Sequence, residues 1–266
     1  KVSVGQGPEW EQVSFGITPP AYDDGYAPWG GDRANFFGDA RTRKAFASCM
    51  NRAEILRKPL ENQTTIPVGF FPPTHPDSLD QQAIPFDAVA GNQLLDEVGW
   101  RDLDNDPATP RTALGIADIV DGTPLTVNYV TTQAPLRALI AQRLTESLAQ
   151  CGVQVNVQTL NTGDLYKPGT SGGVLFSRNF DLAEFAWDSG VQPPCSLFES
   201  RQIPTAENNW LGINITGYSN PAYDAACSRL NQIRPGDAAG YSQAVADLQK
   251  IYAVDPGLVT AFSWKY

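Results

Sequence analysis

A single histidine, His75, and a single methionine, Met50, occur in the 266-residue chain, and only 19 side chains are cationic against 29 that are acidic. Each shortage removes a class of function. Nucleic-acid and anionic-membrane surfaces attract basic patches; a chain of net charge −10 with no run of Lys or Arg repels them. No stretch approaches the roughly 20 apolar residues of a membrane-spanning helix. A structural zinc site wants clustered Cys and His, and here there is no CxxC pair and only one His. A Ser-His-Asp arrangement would have to use His75, which lies in a Pro-rich segment, and no GxSxG surrounds any serine. Neither a GxGxxG after a strand nor a GxxxxGK[ST] loop is present. The sequence predicts no cofactor, no metal and no nucleic-acid partner.

Four cysteines remain: Cys49, Cys151, Cys195 and Cys227. Their even number and wide spacing fit two disulfides, with three pairings open, and point to an extracytoplasmic address. Low Met with abundant Pro, Gly and Trp suits an exported protein. The chain opens at Lys1 on a strand-like segment and not on a charged and then apolar leader, which reads as a processed or truncated piece of a longer protein. Charged residues make up 18% and hydrophobic residues 42%, the composition of a globular fold. One large α/β unit over residues 1–266 is expected.

Alternation of Val13, Phe15 and Ile17 predicts a half-buried strand over Glu11–Thr18, ended by Pro19 and Pro20. An aromatic-rich loop with Tyr22, Tyr26 and Trp29 follows. Asp39 caps a helix to about Met50, and Asn51 with Glu54 starts another in the manner of a capping box. Residues 63–85 form a long Pro-rich irregular segment in which His75 is structural or solvated. Phe86–Val98 is helical, with Val89, Leu94, Leu95 and Val98 as its apolar positions and Gly99 as its stop. Asp102, Asp104 and Asp106 resemble the start of a calcium loop, but Pro107 replaces the sharp-turn glycine, so a surface turn is the reading. A strand at Leu125–Val130, an amphipathic helix at Pro135–Cys151 and a strand at Val153–Leu160 make a βαβ unit with parallel strands. Gly169–Gly173 is expected to be a flexible loop. Phe180–Trp187 is a mostly buried strand. Helices begin at Asn220-Pro221 and at Asp237, and Leu258–Tyr266 is a final strand.

Trp187 and Asp188 stand at the carboxyl end of a strand in an open α/β sheet, where ligands usually sit. Taken alone, the pair serves equally well as core and turn cap. Asp181, Glu184 and Asp188 keep a carboxylate-based hydrolase open as an alternative, because two acids need no motif, although Asp181 and Glu184 face opposite sides of one strand.

Order and spacing across nearly the whole chain add a resemblance. Gly38-Asp-Ala-Arg-Thr-Arg-Lys-Ala-Phe-Ala-Ser-Cys-Met-Asn-Arg52 resembles the "D-x-R-x-R-x-A-hydrophobic … D/N-R" helix of family 5 extracellular solute-binding proteins, the peptide- and nickel-type receptors of ABC importers. Phe86–Trp100, ending Leu94-Leu95-Asp-Glu-Val-Gly99-Trp100, is similar to the family's "A-x-x-L-L-x-x-A-G-W" helix. Leu148-Ala-Gln-Cys-Gly152-Val-Gln-Val resembles its "L-x-x-x-G-I-x-V" step. Phe180-Asp-Leu-Ala-Glu-Phe-Ala-Trp187 resembles "Y/F-D-hydrophobic … W", and Gly217-Tyr-Ser-Asn-Pro-Ala-Tyr-Asp224 resembles "G-Y-x-N-P-x-x-D". Each motif is loose; five in order are specific.

The resemblance implies a periplasmic-binding-protein-like (type II) lobe, a mixed sheet flanked by helices, with hinge strands at both chain ends (about residues 1–20 and 256–266). It implies the second lobe of a two-lobed protein, a non-enzymatic capture role for a peptide or related small solute, and a first lobe and membrane permease subunits as partners. An extracellular or periplasmic location, with a lipoprotein anchor in the full-length form, goes with it. A receptor for a sugar or other non-peptide solute is the nearest alternative. Trp187 and Asp188, with Phe185, Gly190 and the Tyr22, Tyr26 and Trp29 loop, become the expected ligand-binding residues. One position departs from the pattern: peptide-binding members carry an Asp three residues after the Trp to receive the peptide amino terminus, and Gly190 stands there. In the same picture Cys49 pairs with Cys151 and Cys195 with Cys227.

Overall fold

The computed structural model describes residues 6–18, 34–69, 71, 75–106, 108–188, 193–255 and 257–265. Its centre is a five-stranded mixed sheet in the order β5-β4-β6-β1-β7. The strands are β1 (Gln6–Phe15), β4 (Thr126–Thr132), β5 (Gln154–Leu160), β6 (Leu182–Asp188) and β7 (Leu258–Lys265). β4 runs parallel to β5 and β6, whereas β1 lies antiparallel between β6 and β7. The helices are α1 (Ala40–Cys49), α2 (Arg52–Arg57), α3 (Ala88–Val98), α4 (Pro135–Leu148), α5 (Thr162–Leu165), α6 (Pro221–Asn231) and α7 (Ala238–Val254). A two-stranded ribbon, β2 (Trp100–Arg101) with β3 (Thr112–Ala113), follows α3.

Local chemistry sets these boundaries. Asp39, Asn51, Asp87, Asn220 and Asp237 each accept a backbone N–H from the first turn that follows, satisfying donors a helix start leaves open. Gly99 ends α3 and Gly152 ends the turn after α4, both with positive φ. The expected βαβ unit is present, with β4 and β5 parallel in register from Thr126 opposite Gln154 to Thr132 opposite Leu160.

The two faces of the sheet are covered differently. On one, Val13, Phe15, Val127, Tyr129 and Leu182 join a large core with Phe46, Leu95, Leu144, Leu148, Tyr223 and Leu248 of the helices. On the other, Val130, Ala183 and Phe185 meet Leu165, Val174, Leu175, Phe180 and Ile215 in a smaller cluster. Both disulfides fasten the helical side: Cys49 at the end of α1 to Cys151 after α4, and Cys195 to Cys227 on α6. Gly91 of α3 lies against the first. A Cβ there would fall 2.3 Å from Cys49 Sγ and 3.3 Å from Cys151 Sγ.

Several expectations need correction. β1 is buried on both faces, not half-buried: Glu11, Gln12 and Ser14 are as covered as Val13 and Phe15. Interior placement in the sheet explains this, and its polar side satisfies itself, with Trp10 Nε1 donating to Gln12 Oε1 (2.6 Å) and Gln12 Nε2 to Ser14 Oγ (2.9 Å). Residues 169–173 form a short turn whose ends are packed and whose middle is open: Gly169 and Gly173 are buried, Thr170 and Ser171 exposed, and a Cβ on Gly173 would lie 1.6 Å from the Lys167 carbonyl oxygen. Val89 is 69% exposed because α3 starts only after its Asp87 cap, which turns that position outward.

The Pro-rich segment is tied to β7 by Ser263 N–H to the Thr65 carbonyl (3.0 Å) and Thr260 Oγ1 to the Pro67 carbonyl (2.6 Å). His75 stacks on Phe71 at 4.1 Å and accepts the Asp77 N–H, a structural role. Asp102, Asp104 and Asp106 each accept a nearby backbone N–H, the geometry of a surface turn.

Candidate functional site

β4, β5 and β6 run parallel and bring their carboxyl ends to one end of the sheet, beside the amino-terminal half of β1. Trp187 is half-buried there and stands opposite Trp10 in the β1–β6 register. Asp188, opposite Glu9, is exposed. Phe185 is fully buried, edge-on to Trp187 at 5.9 Å and to Tyr166 at 6.2 Å. It belongs to the small core and backs the Trp187 ring; Trp187 is left partly open at the strand end, and Asp188, the next residue of the strand, is exposed on the opposite face. Gly190, Tyr22, Tyr26 and Trp29 lie outside the described residues.

On the opposite, helix-covered face of the sheet lies a buried polar network; the sequence reading named Glu184 only as an acid of the hydrolase alternative and left Arg137 and Tyr129 out. Arg137, in the first turn of α4, grips Glu11 of β1 with Nε to Oε1 at 2.8 Å and Nη2 to Oε2 at 3.3 Å, and its Nη1 donates to Thr132 Oγ1 at 3.0 Å. Glu11 is fully buried. Burial works to lower the Arg137 pKa, but the Glu11 charge and hydrogen bonds outweigh it and the net direction is up. Glu184 lies on the same face of the sheet as Glu11, and Tyr129 Oη donates to its Oε2 at 2.9 Å. Its Oε1 has no partner among the described residues. Burial pushes the Glu184 carboxyl well above its ordinary value, and the Glu11 charge pushes the same way. Burial and the Glu184 charge likewise raise the Tyr129 hydroxyl. The arrangement is one charged pair, Glu11 with Arg137, beside a buried carboxyl whose ionisation burial and the Glu11 charge disfavour. Acids inside apolar strand runs, at Glu11 and Glu184, were the available signal; a partner 126 residues away was not visible.

The acids named for the hydrolase alternative are differently placed on this strand. Asp181 is buried and accepts the Asn128 N–H at 2.7 Å, and Glu184 is buried against Tyr129. Among the acids of that segment only Asp188 opens to solvent.

The quoted motifs prove to be supports for this frame. Arg43 donates to the Phe37 and Gly38 carbonyls and pairs with Asp255. Asn220 caps α6, Pro221 occupies its first turn, and Asp224 accepts the Ser200 N–H at 2.9 Å.

An open mixed sheet with helices packed on one face and an aromatic strand end exposed is the fold of a lobe of solute-binding proteins. Residues 13–209 match the family model described as "Bacterial extracellular solute-binding proteins, family 5 Middle", and the chain belongs to this family. Among solved structures it is similar to the oligopeptide-binding protein AppA of Bacillus subtilis, in complex with a nonapeptide, at 18% identity and a TM-score of 0.79, covering 100% of this chain and 46% of that one. The oligopeptide-binding protein of Thermus thermophilus, complexed with a pentapeptide, matches at 21% identity and a TM-score of 0.80, covering 99% and 43%. NikZ of Campylobacter jejuni, in complex with Ni(L-His), matches at 15% identity and a TM-score of 0.73, covering 99% and 47%. The chain thus spans less than half the length of each of these structures. A search of curated proteins found no match.

Proposed function

We propose that this chain is the second, substrate-capturing lobe of an ABC-importer solute-binding protein that takes a peptide or related small solute. The observation that carries the reading is the placement of Trp187: half-exposed at the carboxyl end of a central strand, held by buried Phe185, with exposed Asp188 next to it. A rigid aromatic wall beside a few fixed polar groups is what a solute pocket needs. Membership in the solute-binding family and likeness to peptide-complexed structures support the class. The strands at both chain ends, β1 and β7, lie side by side, which suits a hinge to a first lobe. The full-length form works outside the cytoplasm, tethered as a lipoprotein, and delivers its solute to membrane permease subunits.

Native mass spectrometry of the full-length protein tests the substrate class through a co-purified ligand. Trp187→Ala in that protein should weaken binding by about tenfold or more, the cost of removing a central aromatic contact. An unchanged affinity would move the site elsewhere. The present 266-residue chain alone should bind the same solute far more weakly, because half of the pocket wall belongs to the other lobe.

A further inference from the structure

Arg52 is 6% exposed, yet no carboxylate among the described residues pairs with it. The guanidinium donates through Nη1 to the Thr260 carbonyl at 3.0 Å and through Nη2 to the Ile84 carbonyl. Those bonds use two of its five N–H donors. Burial alone lowers its pKa, to about 10, so it keeps its charge at neutral pH. A buried charge without a counter-ion is costly. It lines a cavity of about 240 Å³ between the Pro-rich segment, α7 and β7. Among the described residues no acid lines that cavity; its wall is apolar at Val68, Ala253 and Val259 and polar at Tyr252 and Thr260, with Gln81 and Gln82 exposed beside them. β7 is the sheet edge, separated from β6 by β1, so this place is distinct from the Trp187 end.

We propose that this cavity binds a small monocarboxylate with a short aliphatic chain. The carboxylate supplies the missing counter-charge to Arg52 through its remaining donors, and the chain lies among Val68, Ala253 and Val259. Size, sign of charge and the apolar side of the wall together define this class: inorganic anions leave Val68, Ala253 and Val259 uncovered, and neutral alcohols leave the cation unpaired.

Calorimetric titration of the wild-type chain with acetate, propionate, butyrate, butan-1-ol and inorganic phosphate tests it. Affinity should rise about threefold to fourfold per added methylene, the worth of one buried CH₂. Butan-1-ol should bind at least about tenfold more weakly than butyrate, since it cannot make the charge-assisted bonds. Arg52→Met should abolish the difference between butyrate and butan-1-ol. Because that variant also cuts the ties to Thr260 and Ile84, Ala253→Leu supplies a second route: it fills the cavity, leaves Arg52 in place, and should weaken butyrate by about tenfold or more. Equal binding of butyrate and butan-1-ol, no binding of either, full butyrate affinity in Ala253→Leu, or phosphate binding with no gain along the carboxylate series would each overturn the proposal.

Discussion

The helix-covered and loop-covered faces of the sheet are built on different plans. The first holds the large core, both disulfides and the Glu11–Arg137–Glu184–Tyr129 network. The second is a small cluster closed by residues 165–180 and Ile215, without a covalent staple among its members. The contrast teaches where rigidity is placed. The staples hold the frame, while the face that carries Phe185 and leads to Trp187 is held by packing and by hydrogen bonds such as those of buried Arg178 to the Ile17 and Thr18 carbonyls. A binding surface drawn from the less stable part of a fold is a common pattern.

Removing the staples should give the largest effect. The Cys49–Cys151 bridge closes a separation of 102 residues and the Cys195–Cys227 bridge one of 32. On the chain-entropy model these are worth about 4.7 and about 3.7 kcal/mol. Paired Cys→Ala variants followed by urea unfolding should rank in that order. The reverse order would show that native-state packing, not loop length, decides their contributions.

Next comes Phe185→Ala on the loop-covered face, with an expected loss of about 3–4 kcal/mol. The comparison of faces makes a sharper demand. Hydrogen exchange should accelerate in residues 165–180 and β6 while α1 and α3 keep their protection. Acceleration spread evenly over both faces would break the comparison and make the two clusters one cooperative unit.

Gly91→Ala probes the helical side. Within a helix this change normally gains up to about 1 kcal/mol. Here the new Cβ meets Cys49 Sγ at 2.3 Å, so the sign should reverse, with a loss of about 1–3 kcal/mol by thermal unfolding. In the Cys49/Cys151→Ala background the loss should shrink or vanish, since the obstructing sulfurs are gone. A neutral Gly91→Ala in the oxidised protein would mean that α3 can shift away from the bridge.

What the sequence made legible follows from the range of the forces involved. Helix starts are local: a side chain at Asp39, Asn51, Asp87, Asn220 or Asp237 bonds a neighbouring N–H, so each start could be read from a few residues. The βαβ unit is nearly as local. By contrast, the burial of Gln12 and Ser14 depends on β6 and β7 flanking β1, and alternation alone read them as exposed. At the site, Trp187 and Asp188 were legible from their place at a strand end. Phe185 was legible as an aromatic on that strand but not as a buried support. Arg137 was invisible, because its partner Glu11 comes from the far end of the sequence.

A last effect is graded by pH and concerns the buried Glu184 carboxyl inside the helix-covered face. Glu184 has a folded pKa raised above its ordinary 4.5 by burial first and by Glu11 second, with Tyr129 and Arg137 acting weakly against. Between those two values the native state binds more protons than the unfolded chain, so stability falls as pH rises. The contribution of neutral Glu184 is whole below pH 4.5 and is lost progressively as pH climbs toward the raised folded value. Glu184→Gln keeps an acceptor for Tyr129 and cannot ionise. Its stability relative to wild type should therefore climb from pH 5 to pH 8, by up to about 1.4 kcal/mol per pH unit while the native carboxyl stays protonated. Urea unfolding of both proteins across that range measures the difference. Parallel profiles would mean that Glu184 ionises at its ordinary value, and that the helix-covered face carries two buried charges against one Arg137.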